Sequence, residues 1–421
     1  MSASRRDVLR AGLALGCAAL ARRSPAAADA HVVVVGGGFG GATAAKYIRK
    51  WSAGAVRVTL VERESAFVSC PLSNLVLGGM RDIASLTRSY EGLERWGIRR
   101  LAGEAQTIDP AARSISLGGG ETLSYDRLIL CPGMDFEWEA IPALKDPAAR
   151  EKVPHAWKAG AQTVALRRQL EAMRDGGVFV IHVPLAPYRC PPAPYERACL
   201  VARYFSLAKK RSKVIVLDAN EDVQAEKALF FAAWNGSYKG YVEYRPNSGL
   251  VDVDVATLTA KLDFEDVKAD VLNIIPPQRA GDIARTSGMA NANNRFCQVD
   301  FLTYESTAQR GIHILGDAAQ PASLMPRSAH VANQQAKVCA AAVVALLAGR
   351  EANPVPVVTS TCYTYFSETE VAHIASVHRY DPAAKTMAVA PGSSGSSSAA
   401  NAEEARYAES WAENLWADTL G

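Results

Sequence analysis

His31 to Gly41 reads HVVVVGGGFGG and runs on into ATAAKYIRK. Four consecutive valines form a buried parallel strand, covered on both faces, more readily than any other element. The run breaks into Gly36-Gly37-Gly38-Phe39-Gly40-Gly41, in which Gly36, Gly38 and Gly41 fall on the G-x-G-x-x-G spacing. The first glycine allows the tight turn, the second lets a pyrophosphate approach the backbone, and the third lets the next helix pack close to the strand. Free N–H groups are left aimed at the phosphates.

The flanking sequence raises this motif above a bare glycine pattern. A second strand, Val56 to Val61 (VRVTLV), ends in Glu62, 21 residues past Gly41. That is where a carboxylate meets a ribose hydroxyl of an adenine dinucleotide. The competing reading is a glycine-rich turn in some other α/β protein.

A second βαβ unit follows: the strand Val178 to Val183, a turn, a helix from about Tyr195 to Lys209, and the strand Val214 to Leu217 ending in Asp218. A pyridine nucleotide would need its own glycine fingerprint in that turn. The residues there are Pro184-Leu185-Ala186-Pro187-Tyr188-Arg189-Cys190-Pro191-Pro192-Ala193-Pro194, without one glycine. Proline offers no N–H and fixes φ, so NAD(P)H is disfavoured as electron donor.

A third stretch, Gly311 to Ala318 (GIHILGDA), reads as a buried strand running into Gly-Asp, followed by a long helix from about Ser328 to Leu347. In flavoenzymes this arrangement lets the aspartate, here Asp317, bind the ribityl chain while the helix N-terminus faces the flavin pyrimidine edge. That end favours negative charge by roughly 0.3–1 kcal/mol. The helix's apolar run, Val338 to Ala348, also reads as core packing, and both readings can hold. Tyr125 to Gly133 is of the kind that returns the chain to the first domain of two-dinucleotide flavoproteins, with Cys131 read as a packed thiol.

The fold class implied is α/β, with two dinucleotide-binding (Rossmann-like, glutathione-reductase-type) domains plus a smaller C-terminal α+β domain. Residues 31–140 with 276–350 would bind FAD, 141–275 would be the second Rossmann-like domain with a degenerate nucleotide site, and 351–421 a C-terminal interface domain. A chain of 421 residues, 49% hydrophobic and 21% charged, has ample core for this. Its net charge of +3 is too small to imply nucleic acid.

Ser4-Arg5-Arg6-Asp7-Val8-Leu9-Arg10 precedes an apolar run, Ala11 to Ala21, too short to span a bilayer, and Ala-rich sequence to Ala30. Residues 1–30 thus look like a twin-arginine export signal. Such a signal carries folded, cofactor-loaded proteins to the periplasm, where disulfides persist. No stable membrane insertion is expected. Near the other end, Pro391 to Ala400 (PGSSGSSSAA) reads as a flexible linker. Asn401 to Leu420 reads as a helix whose stripe of Tyr407, Trp411 and Leu415 packs inward, with Glu403, Glu404, Glu409, Glu413 and Asp418 on the other face.

Of eight cysteines, Cys17 lies in the export signal; the others do not space as a zinc site, no metal site is expected, and no C-x-x-C-H occurs for covalent haem. Cys199, Cys297 and Cys339 read as buried thiols. Cys190 lies in a loop before a helix, next to Arg189, where a thiolate would be stabilised.

Longer stretches carry more. They are Cys-x-Leu-Ser-Asn at Cys70, Pro154 to Gly160 (PHAWKAG), Arg189 to Ala198 (RCPPAPYERA), Ile275 to Gly281 (IPPQRAG), Gly311 to Asp317 and Thr361-Cys362-Tyr363. On these the sequence, from His31 to Gly421, resembles the flavoprotein subunit of flavocytochrome c sulfide dehydrogenase, a branch of the glutathione-reductase-like flavoproteins close to sulfide:quinone reductases. The resemblance implies FAD bound by Gly36, Gly38, Gly41, Glu62, Asp317 and Trp411. It implies a thioether from Cys70 to the flavin 8α-methyl group, and a redox-active Cys190–Cys362 disulfide beside the isoalloxazine. Pro71 departs from the pattern, since the family commonly has an aromatic after the cysteine.

A bridge across the 172 residues between Cys190 and Cys362 would also serve as a structural staple worth about 5 kcal/mol in the chain-entropy model. The position of Cys190, where a nucleotide fingerprint would stand, favours the redox role. Glu196 could relay a proton or cap its helix. The activity implied is periplasmic oxidation of sulfide to sulfur or polysulfide, with electrons passed through FAD to a c-type cytochrome subunit. The alternatives are a sulfide:quinone reductase-like enzyme and a non-catalytic electron-transfer flavoprotein.

Overall fold

The computed structural model describes residues 29–421. The expected export signal up to residue 28, with Cys17, lies outside the described residues.

Strand β1 (His31–Val35) enters the core with Val32, Val33 and Val34 fully buried. The chain turns at Gly36 into α1 (Phe39–Trp51) and crosses to β2 (Arg57–Glu62). After the short α2 (Ser73–Leu77) it adds β3 (Arg99–Ala102) and β4 (Arg127–Leu130). β1 lies parallel between β2 and β4, with Val33 opposite Thr59 and Leu128. Helix α1 starts at Phe39, earlier than the run ATAAKYIRK, because the glycines themselves form its first turn: Ala42 N donates to Gly38 O at 3.0 Å. A Cβ at Gly36, where φ is +93°, would lie 2.2 Å from the Cys131 carbonyl oxygen, and one at Gly41 would lie 1.8 Å from the Gly36 carbonyl oxygen. Backbone meets backbone at both points, so only glycine fits.

The second parallel sheet is built from β5 (Val178–Val183), α3 (Ala193–Ala208), β6 (Lys213–Asp218), α4 (Lys227–Asn235), β7 (Val242–Arg245) and β8 (Val271–Ile274). Its strand order is β7-β6-β5-β8. Two short antiparallel segments, Met134–Phe136 and Gln278–Ala280, pair where the chain leaves and re-enters the first layer. Strand β9 (Ile312–Ile314) then docks beside β4, completing the order β9-β4-β1-β2-β3. Helix α5 (Ala329–Leu347) follows; Ser328 caps it, its Oγ accepting from Val331 N at 3.2 Å. α5 packs along α1.

The remaining chain forms the antiparallel pair β10 (Val357–Tyr365) and β11 (Val371–Asp381), with β12 (Thr386–Val389) and β13 (Gly395–Ser396) both on β11, and then α6 (Ala402–Leu420). Two expectations are corrected here. The stretch 391–400 is a fastened strap and not a flexible linker. Strand β13 pairs with β11, Ser393 Oγ donates to Val377 O at 3.1 Å, and Ser397 Oγ donates to Glu404 at 3.0 Å. Composition marks serines as solvated; here their hydroxyls serve as ties.

The α6 stripe is the second correction. Tyr407 is 51% exposed, and the buried seam is Ala408, Ala412, Leu415, Trp416, Thr419 and Leu420. A spacing of four drifts around a helix of 3.6 residues per turn, and the alanines allow the closer approach. Asp418, expected on the outer acidic face, instead accepts from Tyr47 Oη at 2.5 Å and Asn333 Nδ2 at 2.7 Å and pairs with Lys337 at 2.8 Å. Lys46 Nζ on α1 donates to the carbonyls of Ala417 and Asp418 at 3.1 and 2.9 Å.

Candidate active site

The N-terminus of α1 presents an open glycine turn of the shape a phosphate cradle requires. A Cβ at Gly38 would meet nothing within 4 Å, in contrast to Gly36 and Gly41. Glu62, at the tip of β2, folds toward this turn and accepts from the backbone N–H groups of Gly37 and Glu64. Beside Cys190, buried donors lack protein partners: Arg327 Nε and Nη2, and Gln278 Nε2. Both residues flank Cys190, for Arg327 O accepts from Cys190 N and Gln278 Oε1 accepts from Arg189 N, each at 2.9 Å. Open glycine backbone and unpartnered buried donors both fit a polar cofactor such as FAD.

Three residues picked from the sequence, Cys70, Cys190 and Asp317, meet around the Arg189 guanidinium. Arg189 Nη1 pairs with Asp317 Oδ2 at 3.3 Å, and its Nη2 donates to Trp157 O. Burial would weaken the hold of Arg189 on its proton, but the neighbouring Cys70, Asp317 and Cys190 strengthen it and win. Cys70 is fixed from both sides. Ser69 Oγ accepts from Trp416 Nε1 at 2.9 Å and donates to Pro71 O at 3.0 Å, and Ser73 N donates to Cys70 O at 3.0 Å. Pro71 therefore sits inside a tied turn, with Leu72 in the left-handed region at φ +69°. Asn74, one turn on, donates to Ala193 O at 3.0 Å and to Glu196 Oε2 at 2.6 Å, clamping the Cys70 loop onto α3.

Cys190 sits just before α3 with φ +54°, and Cys362 lies on β10. The structure holds them as two unbridged, partly exposed thiols, near enough for the charge of Cys362 to act on Cys190. Burial pushes Cys190 well above the usual thiol range, with Cys362 and Glu196 adding to the shift and Arg189 opposing it. Burial also pushes Cys362 up to about 11. The expectation that Arg189 stabilises a Cys190 thiolate is thus corrected: its charge acts in that direction, and desolvation with neighbouring negative charge wins.

Glu196 does not cap α3, which corrects that alternative. Its Oε1 accepts from Tyr365 N at 2.9 Å, its Oε2 from Asn74, and burial pushes it up to about 7. Trp411 lies beside Tyr363, with ring centroids 5.6 Å apart, and His330 at 6.2 Å. His330 Nδ1 accepts from Thr361 N at 3.0 Å, joining the first turn of α5 to the strand that carries Cys362. His155 is pushed down to about 3 by burial and nearby cations, and its Nδ1 accepts from Trp157 N, so it stays neutral and positions backbone. Cys131, Cys199, Cys297 and Cys339 are buried thiols, as their sequence settings imply. His330, Arg327 and Glu226, discussed below, escaped the sequence reading; each stands outside any motif, and only tertiary packing brings it to the site.

Comparison with known proteins agrees with this geometry. Residues 163–276 match the family described as the sulfide dehydrogenase [flavocytochrome c] flavoprotein chain, central, and residues 354–420 match its flavin-binding region. Residues 30–174 match pyridine nucleotide-disulphide oxidoreductases. The mitochondrial sulfide:quinone oxidoreductase of Mus musculus is 23% identical over 304 residues, 68% of this chain and 65% of that protein, so the chain spans less than two thirds of that relative. The sulfide:quinone oxidoreductase of Aquifex aeolicus shares the fold, with a TM-score of 0.76 at 16% identity over 93% of this chain and 91% of that one. A Chlorobaculum thiosulfatiphilum sequence, the sulfide dehydrogenase [flavocytochrome c] flavoprotein chain, is 64% identical over 46 residues, 11% of this chain and 94% of that sequence. With that identity added to the two family matches, the chain belongs to the flavoprotein chains of flavocytochrome c sulfide dehydrogenase.

Proposed function

We propose that this chain is a periplasmic sulfide oxidoreductase, exported folded by the twin-arginine route, that carries FAD on Cys70 and delivers electrons to a c-type cytochrome subunit. The observation that supports this most is the meeting of Cys190 and Cys362, from elements 172 residues apart, beside the guanidinium that also feels Cys70 and Asp317. When bound, the flavin supplies an acceptor for an electron pair that can be released singly. The protein does the rest. Joined as a disulfide, Cys190 and Cys362 present an electrophilic sulfur; hydrosulfide attacks it, the S–S bond breaks, and a persulfide forms on one cysteine with a thiolate on the other. Arg189 offsets the negative charge, and Glu196, held near neutrality, accepts the proton that sulfur loses.

A sulfide:quinone reductase would use the same thiols and would need an apolar surface for lipid. The packing of α6 favours the cytochrome reading, since its apolar seam is buried within the chain and its end is clasped by α1. Among the described residues no helix is long and apolar enough to cross a membrane. Anaerobic mixing of the FAD-loaded protein with sulfide, followed by cytochrome c or a soluble quinone in parallel, tests both readings. Sulfide should bleach the flavin, Cys190→Ser and Cys362→Ser should each abolish bleaching with the fold intact, and cytochrome c should restore the colour. Wild-type bleaching in either variant would refute the disulfide route, and reoxidation by quinone alone would replace the acceptor. Acid precipitation should leave flavin on the Cys70 peptide; free flavin beside an unmodified peptide would remove the tether.

A further inference from the structure

Glu226 stands immediately before α4 in the left-handed region, at φ +53° and ψ +31°, yet its side chain does not cap that helix. It reaches β10 instead, where Oε2 accepts from Thr364 Oγ1 at 2.6 Å. Oε1 is buried with no partner in the protein. Thr364 is two residues from Cys362, on the same face of the strand. A carboxylate with one oxygen shut away from water and unpaired is costly, and here it is held by a backbone conformation that glutamate rarely adopts.

The charge of Glu226 acts on Cys362 and on Glu196, while that of Glu196 acts on Cys190 and more weakly on Cys362. Each thiol thus has a carboxylate of its own, supplied by a different element. The titratable groups facing Glu226 are Glu196 on α3, Cys362 on β10 and His373 on β11. His373 is itself paired with Glu404 of α6 at 2.8 Å, and Lys227 turns away to Asp222. Burial strengthens the hold of Glu226 on a proton, against the Thr364 hydrogen bond and His373.

We propose that Glu226 is a second proton-holding residue of the thiol site, a positioning residue that the Thr364 hydroxyl holds against the strand of Cys362, where its charge acts on that thiol, while Glu196 serves Cys190. This rests on the sulfide-oxidising reading. Taking hydrosulfide to the level of elemental sulfur releases two electrons, which the flavin accepts, and one proton. When the bridge opens, that proton rides on the persulfide S–H and the negative charge on the released thiolate. As the electron pair leaves, the S–H bond breaks and its proton passes to a carboxylate. With one carboxylate beside each cysteine, a proton acceptor stands ready whichever sulfur bears the persulfide.

The test uses the FAD-loaded full chain, reduced, with iodoacetamide alkylation of the Cys190 and Cys362 peptides followed by mass analysis across pH. In Glu226→Gln the midpoint for Cys362 should fall by about half a pH unit or more, because a neighbouring negative charge is gone, and that for Cys190 should move less. Flavin reduction by sulfide should slow about tenfold at pH 7 with an altered pH profile. Thr364→Val should shift the Cys362 midpoint the same way, because Glu226 then keeps its proton to higher pH; it covers the case of a Glu226 variant that fails to fold. An unmoved Cys362 midpoint in both variants overturns the proposal. A shifted midpoint in a protein whose flavin sulfide never reduces supports the Glu226 to Cys362 linkage and overturns the activity instead.

Discussion

Between β1 and α1 the chain turns on glycines; between β5 and α3 it turns on prolines. In the first unit the turn stays open at Gly38, and Glu62 at the tip of β2 is available beside it. In the second unit the matching tip is Asp218 on β6, and it is sealed. Its Oδ2 accepts from Tyr195 Oη at 2.6 Å and Tyr244 Oη at 3.1 Å, and its Oδ1 from Asn220 N and Nδ2 at 2.9 and 2.7 Å. Tyr188, from the proline turn itself, reaches Tyr195 at 3.3 Å. The strand-turn-helix frame survives in both units, with parallel pairing of β1 to β2 and β5 to β6. What differs is who satisfies the carboxylate: backbone N–H groups of Gly37 and Glu64 in one, tyrosines and Asn220 in the other. Freed from phosphate, the second turn can present Cys190.

The largest test of this contrast is Gly41→Val. With a Cβ forced against the Gly36 carbonyl, the variant should lose about 3 kcal/mol or more and its flavin with it, measured by urea unfolding and flavin absorbance. Gly38→Ala, facing open space, should stay within about 0.5 kcal/mol of the parent while retaining FAD more weakly. Equal behaviour of the two would show that the turn is not a cradle.

Next in size is the pH dependence set by Glu196, in the first turn of α3. Burial holds its proton to about pH 7 in the folded state, above the ordinary unfolded value. The folded chain therefore binds the proton more tightly, and stability is greatest below about pH 4.5 and declines as pH rises toward 7, by on the order of 2–3 kcal/mol. Denaturation midpoints across that window should show the decline in the parent and a flatter course in Glu196→Gln.

Asp218→Asn should cost about 1–3 kcal/mol by leaving donors mismatched, yet leave bound flavin unchanged. Loss of flavin in that variant would couple the two units more tightly than their hydrogen bonds indicate. The smallest effect expected is none at all: NADH should fail to bleach the flavin anaerobically, because the prolines of the Pro184 to Pro194 turn offer no N–H, those of Ala186, Arg189, Cys190 and Ala193 are already spent within the protein, and Asp218 is occupied. Rapid bleaching would break the comparison outright.

The two βαβ units, the glycine roles and the buried cysteines were legible because strand burial and backbone-limited turns depend on neighbours in sequence. The thiol pair was legible only through motifs that resemble a family. What stayed hidden depends on distant partners. Glu226 looks like one more surface acid until Thr364, 138 positions away, closes on it. Asp418 looks solvated until Tyr47, Asn333 and Lys337 surround it. Periodicity assigned Tyr407 to the buried face because it counts residues and not the alanines that set how closely helices approach.

The clasp between α1 and α6 bears on how the chain comes to be finished. Lys46 finds its acceptors at Ala417 and Asp418, more than 370 positions downstream, and Thr43 meets Thr419 across the same gap. Loop closure over such a span is entropically slow. The helix behind the glycine turn therefore cannot acquire its full set of neighbours while the ribosome is still adding residues of the second sheet. Synthesis order and assembly order differ in this molecule, and the glycine turn, made first, is secured last.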